Sequence, residues 1–89
     1  MNRTELEILK DFEALGWKVA DGYTKVTLKK KLVCNDERFM WTWICYISID
    51  KENKTYAVFK NGNFSTNHYD ITMQEHKLLN ELFEVWQWI

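Results

Sequence analysis

Four of the five tryptophans in this chain fall in two echoing tetrads, Trp41-Thr42-Trp43-Ile44 and Trp86-Gln87-Trp88-Ile89. The first lies in a run with the two-residue period of a strand and the second ends a run of helical period. The fold must therefore bring a strand and a helix to one shared interior. A chain of 89 residues has little interior to share. At that size folding buries only about 60 to 65 % of the unfolded surface, so every large apolar side chain counts toward the core. The spacing predicts Trp41, Trp43 and Trp86 in the core and leaves Trp17 unassigned. Trp88 follows Trp86 by about 200° on a continuing helix, which predicts a boundary position or a contact between two copies of the chain.

Thr4-Glu5-Leu6-Glu7 has the form of a capping box, so a helix is expected from there. Leu6, Leu9, Phe12 and Leu15, with Ile8 alongside, make its apolar stripe, and Gly16 suits the position just past its end. From Trp17 the period changes to two. A short strand to about Ala20 meets a turn at Asp21-Gly22, a longer strand follows from about Tyr23 to Val33, and the most apolar segment runs from Phe39 to Ile49. With Asn35-Asp36-Glu37-Arg38 as the loop between them, Cys34 faces Phe39, Leu32 faces Trp41, Lys30 faces Trp43, Leu28 faces Cys45 and Val26 faces Ile47. That register collects the bulky apolar residues on one face. It also separates Cys34 from Cys45 by roughly 20 Å, too far for a disulfide.

A third strand is expected over about Thr55 to Lys60, with either Val58 or Phe59 facing the core. Phe64 to Asp70 reads as a loop or a short edge strand. A second capping box, Thr72-Met73-Gln74-Glu75, opens a helix predicted to continue to the C-terminus with Leu79, Leu82, Phe83, Trp86 and Ile89 on one stripe. The expected architecture is a single α+β domain over residues 1–89. It is a two-layer sandwich of order α-β-β-β(-β)-α, an antiparallel sheet with both helices packed on one face.

The formal net charge is −1, unlike the strongly basic balance of a dedicated nucleic-acid binder. Its distribution is uneven: −2 over residues 1–16, +4 over 17–60 and −3 over 61–89. No cleavable signal and no apolar run of about 18 residues is visible, so a soluble cytoplasmic protein without membrane contact is expected. Two cysteines, Cys34 and Cys45, fit neither a disulfide scaffold nor a zinc site. The candidates for enzyme chemistry are Cys34, Cys45, His68 and His76, with Asp70 near His68, but nothing local sets a cysteine beside a histidine, as a nucleophile and its base require. Two histidines make a weak metal case. The expectation is a non-enzymatic chain with no catalytic residue, metal, cofactor or small-molecule substrate.

The outward face of the long hairpin carries Lys25, Thr27, Lys29 and Lys31 on one strand and Met40, Thr42, Ile44, Tyr46 and Ser48 on the next. Met40, Ile44 and Tyr46 rimmed by Lys25, Lys29 and Lys31 form the candidate partner site, with Trp88 as a second candidate contact. The alternative is that the segment 61–70 folds over this face. The lysine row would also suit phosphates, which makes RNA or single-stranded DNA the second reading after a protein partner or self-association. The α-β-β-β-α order resembles that of double-stranded-RNA-binding domains. Their signature includes a Gly-Pro-x-His-like loop and a lysine cluster opening the last helix. This chain has Asn35-Asp36-Glu37-Arg38 and Met73-Gln74-Glu75-His76-Lys77 there, so membership does not follow. In composition the chain is similar to small accessory proteins of bacteria with AT-rich genomes and of their phages, which implies an adaptor or inhibitor role.

Overall fold

The computed structural model describes residues 3–35, 40–62 and 66–88. The elements are α1 (Glu5–Ala14), β1 (Lys18–Asp21), β2 (Lys25–Asn35), β3 (Met40–Asp50), β4 (Thr55–Asn61), β5 (Thr66–His68) and α2 (Met73–Val85). The five strands pair antiparallel in chain order. One sheet face gives Val26, Leu28, Cys45, Ile47 and Ile49 to a core completed by Ile8, Leu9 and Phe12 of α1 and Leu78, Leu79, Leu82 and Phe83 of α2. The expected α+β sandwich with both helices on one face is therefore present. No helix among the described residues is long and apolar enough to cross a membrane.

The β2–β3 pairing differs from the sequence expectation by two residues. Cys34 faces Trp41, Leu32 faces Trp43, Lys30 faces Cys45, Leu28 faces Ile47 and Val26 faces Ile49. A slip of two keeps every side chain on its face, so apolar alternation alone does not distinguish the two registers. In the observed one Asn35 pairs with Met40, and Lys25 comes opposite Asp50, joining unlike charges across the strands. Residues 36–39, which hold most of the predicted loop and Phe39, lie outside the described residues. Cys34 and Cys45 are now four strand positions apart, roughly 13 Å, still beyond disulfide reach. In β4 Val58 faces Ile47 and the core, whereas Phe59 faces Tyr46 on the outer side.

Both helices stop in the same way. Gly16 at φ +99° donates its N–H to the Glu13 carbonyl, and Trp17 donates to Phe12. Gln87 at φ +60° donates to Glu84, and Trp88 donates to Phe83. These are the paired bonds of a Schellman motif, which turns the chain back over the last helical turn. Trp17 is thereby driven into the core at 2 % exposure. Trp88 is returned onto Phe83, rings stacked at 5.0 Å and 12°. α2 thus ends at Val85 instead of continuing, and Trp88 is half-buried at the boundary beside Trp86. Leu6, predicted on the apolar stripe of α1, is 62 % exposed.

The capping box of α2 does more than cap. Thr72 accepts the Glu75 N–H at 3.1 Å, and the Glu75 carboxyl accepts the Thr72 N–H at 2.9 Å. The same carboxyl takes the Trp17 indole N–H at 2.8 Å and the Tyr69 hydroxyl at 3.0 Å. Glu75 is 1 % exposed, unusual for a carboxylate on an amphipathic helix. Burial and the neighbouring Glu75 charge push the Tyr69 hydroxyl pKa up, so Tyr69 stays a donor throughout the ordinary pH range.

Candidate interaction surface on the hairpin arm

Helices and strands of equal residue count differ in length. The 11 residues of β2 and of β3 extend roughly 36 Å at strand rise, against about 15 Å for the 10 residues of α1 and about 20 Å for the 13 of α2. Two such helices cover only part of such a hairpin. The molecule is correspondingly long, 49 × 25 × 19 Å.

The neighbouring strands stop early too. β1 pairs with β2 only as far as Lys29, and β4 pairs with β3 only as far as Ile44. Among the described residues, Leu32–Asn35 and Met40–Trp43 have only each other as strand partners. They form a two-stranded arm that carries its apolar residues outside the helix layer. Leu32 is 37 % exposed, Trp41 39 %, Val33 50 % and Met40 75 %. Leu32 and Trp41 point to the face that is core further back, while Val33 and Met40 point to the other. Trp41 is therefore not a core residue, because no helix reaches it. Trp43, at the arm's base, is half-buried. Gly62 is pressed against its ring, where an added Cβ would lie 2.8 Å from Cζ3, and the Lys60 ammonium sits 5.0 Å from the ring centre.

Lysines surround this base. Lys29 lies 5.6 Å from the Tyr46 ring centre and Lys30 5.8 Å from that of Trp17. None of Lys18, Lys29, Lys30, Lys31 and Lys60 has a carboxylate partner among the described residues. Toward the other end of the molecule two cations are paired. Arg3 bridges Asp11 of α1 to Glu81 of α2, and Lys51 reaches Glu5 at 3.4 Å and Asp21 at 3.2 Å.

The residues singled out from the sequence separate on this frame. Lys29, Lys31, Ile44 and Tyr46 come together on the outer sheet face, Lys31 opposite Ile44 and Lys29 opposite Tyr46. Met40 lies further out on the arm. Lys25 sits at the far end of the same face, opposite Asp50, whose charge answers its own. Trp88 lies on the helix side and shares no surface with the others. The described part of segment 61–70 adds β5 beside β4 at the sheet edge and does not fold across the outer face. Leu32, Val33, Trp41 and Lys30 were not in the sequence-derived set. The signal that points to them is the mismatch between strand and helix lengths.

Tyr46 is flanked on both sides, by Phe59 stacked at 5.0 Å and 19° from β4 and by Lys29 from β2. Its ring is thus already occupied and is not displayed as a platform for a nucleobase. Elsewhere, His68 and Asp70 approach to 3.3 Å with side chains 77 % and 97 % exposed, beside an open hollow of about 610 Å³ lined also by Tyr56, Val58, Tyr69 and Ile71. Cys45 is buried in the core, and His76 is exposed on α2. No group of three or more candidate metal ligands occurs among the described residues. Comparison with protein-family models, curated proteins and solved structures finds no match for the chain.

Proposed function

We propose that this chain is a small non-enzymatic binding module that engages another protein through the projecting half of its β2–β3 hairpin, as an adaptor or inhibitor would. The observation that carries the reading is the arm itself: two strands whose outer edges have no strand partner among the described residues, with exposed apolar residues on both faces, beyond the reach of either helix. A solvated two-stranded ribbon is marginal alone, and exposed apolar patches with charged borders are where partners bind. The second reading, RNA or single-stranded DNA on the outer face, draws support from the unpaired lysines but not from the occupied Tyr46 ring.

The test is a photoreactive amino acid at Met40 of the full chain, expressed in its native host. A polypeptide adduct is expected, reduced in a Leu32→Ser, Trp41→Ala variant. The control position is Met73 on α2, exposed to 86 % against 75 % for Met40. Equal capture at Met73, or nucleic acid as the adduct at Met40, overturns the reading.

A further inference from the structure

Where β1 begins, the edge of β2 borders a hollow of about 390 Å³ lined by Gly16, Lys18, Lys29, Lys30, Lys31 and Ile44. Four lysines line it and no carboxylate does. Lys18 and Lys29 face each other across the strands, with Lys31 on the same outer side two residues on. Lys30 projects to the opposite side, over Trp17. Positive charge therefore straddles the strand edge on both faces. Beyond the hollow, the backbone of Leu32 to Asn35 has no partner on the β1 side among the described residues, leaving alternating N–H and C=O groups unpaired.

An open edge beside a four-lysine hollow selects one kind of occupant. An added polypeptide strand satisfies both the N–H and the C=O groups of the edge and sends its side chains alternately to the two faces. A phosphate backbone matches the lysines but supplies no donors to the edge carbonyls. A second copy of this chain carries much of its acidic charge on α1 and α2, already folded as helices. We infer that the β2 edge takes up an extended acidic segment of a partner protein as an added strand, its carboxylates seated against Lys18, Lys29, Lys30 and Lys31. The inference rests on the protein-binding reading and names the chemistry of that partner.

The test is an amide NMR titration of the labelled chain with three probes: a short end-blocked peptide alternating glutamate and valine, the same peptide with lysine for glutamate, and an oligothymidylate of matching length. The acidic peptide is expected to shift the amides from Lys29 to Asn35 and of Lys18. Its affinity should fall by up to about fivefold per lysine removed in Lys29→Gln and Lys31→Gln, and with added salt. Both substitutions lie on an exposed face, and an otherwise unchanged spectrum verifies the fold. Equal response to the lysine peptide, or no response at the edge to the acidic one, overturns the inference. Shifts confined to Met40–Trp43 and indifferent to the lysine variants overturn it while leaving the protein-binding reading intact. Tighter binding of the oligothymidylate overturns both.

Discussion

The two halves of the β2–β3 hairpin share one alternating pattern but have different surroundings. In the near half, Val26, Leu28, Cys45, Ile47 and Ile49 lie under the helices at 0 % exposure. In the far half, Leu32 and Trp41 occupy the same face and stand open to solvent. The residue types hardly change, whereas the cover does. Near-half side chains are worth free energy to the fold, and far-half side chains remain exposed to solvent. Two cations of the body, Arg3 and Lys51, tie helices and strands to carboxylates, while Lys29, Lys30 and Lys60 near the arm lie over aromatic rings and have no carboxylate partner among the described residues.

The sharpest loss should come from the polar knot that locks the cover in place. Glu75→Ala leaves the Trp17 indole, the Tyr69 hydroxyl and the Thr72 N–H without their acceptor, and should cost about 4 kcal/mol or more in urea unfolding. A loss under about 1 kcal/mol would mean that the helix layer does not depend on it. Next comes a matched pair on one sheet face. Ile47→Ala should cost about 2 to 5 kcal/mol, because it opens a cavity in a packed core. Leu32→Ala should cost no more than about 0.5 kcal/mol, because it removes surface that is still wet. Equal losses would erase the distinction between the halves.

Gly62→Ala acts at the border between them. Its new methyl meets the Trp43 ring, so about 1 kcal/mol of strain is expected, together with a displaced Trp43 indole N–H signal and little change at Trp17. The smallest effect belongs to the β3–β4 turn. The Asn53 side chain and the Asn53 and Glu52 backbone N–H groups hold the Asp50 pKa below its ordinary 3.8. A lowered carboxylate pKa contributes stability that is present above the ordinary value and lost as pH falls through the folded one. The Glu52 and Asn53 amide signals should therefore change only below about pH 4, ahead of any change at the arm.

Which parts of this arrangement a sequence reveals depends on what the physics encodes locally. Alternation from Val26 to Ile49 places side chains on faces, so strands and layers are legible. It is blind to a two-residue slip, and the observed register depends on pairings such as Lys25 with Asp50 that apolar spacing does not weigh. The helix ends make a similar contrast. Phe12-Glu13-Ala14-Leu15-Gly16-Trp17 and Phe83-Glu84-Val85-Trp86-Gln87-Trp88 form the same turn, with tryptophan brought back to phenylalanine. Gly16 announces the first. Gln87, a side-chain-bearing residue at φ +60°, conceals the second, which is why α2 was expected to run on. Part of the candidate site was legible in Lys29, Lys31, Met40, Ile44 and Tyr46. Trp41 is expected in the core, with Leu32 on the same apolar face, because apolar character marks what seeks cover, not whether the helices are long enough to provide it.

Residue-resolved amide hydrogen exchange, measured at several protein concentrations, puts the division of the hairpin to the test. The hydrogen-bonded amides from Val26 to Lys29 and from Cys45 to Ile49 should exchange only through global unfolding. Those from Leu32 to Asn35 and from Met40 to Trp43 should exchange through local opening at a much smaller free energy, independent of concentration. Uniform protection along both strands would contradict an uncovered arm, and protection of the arm that rises with concentration would mean that a second copy of the chain already covers it.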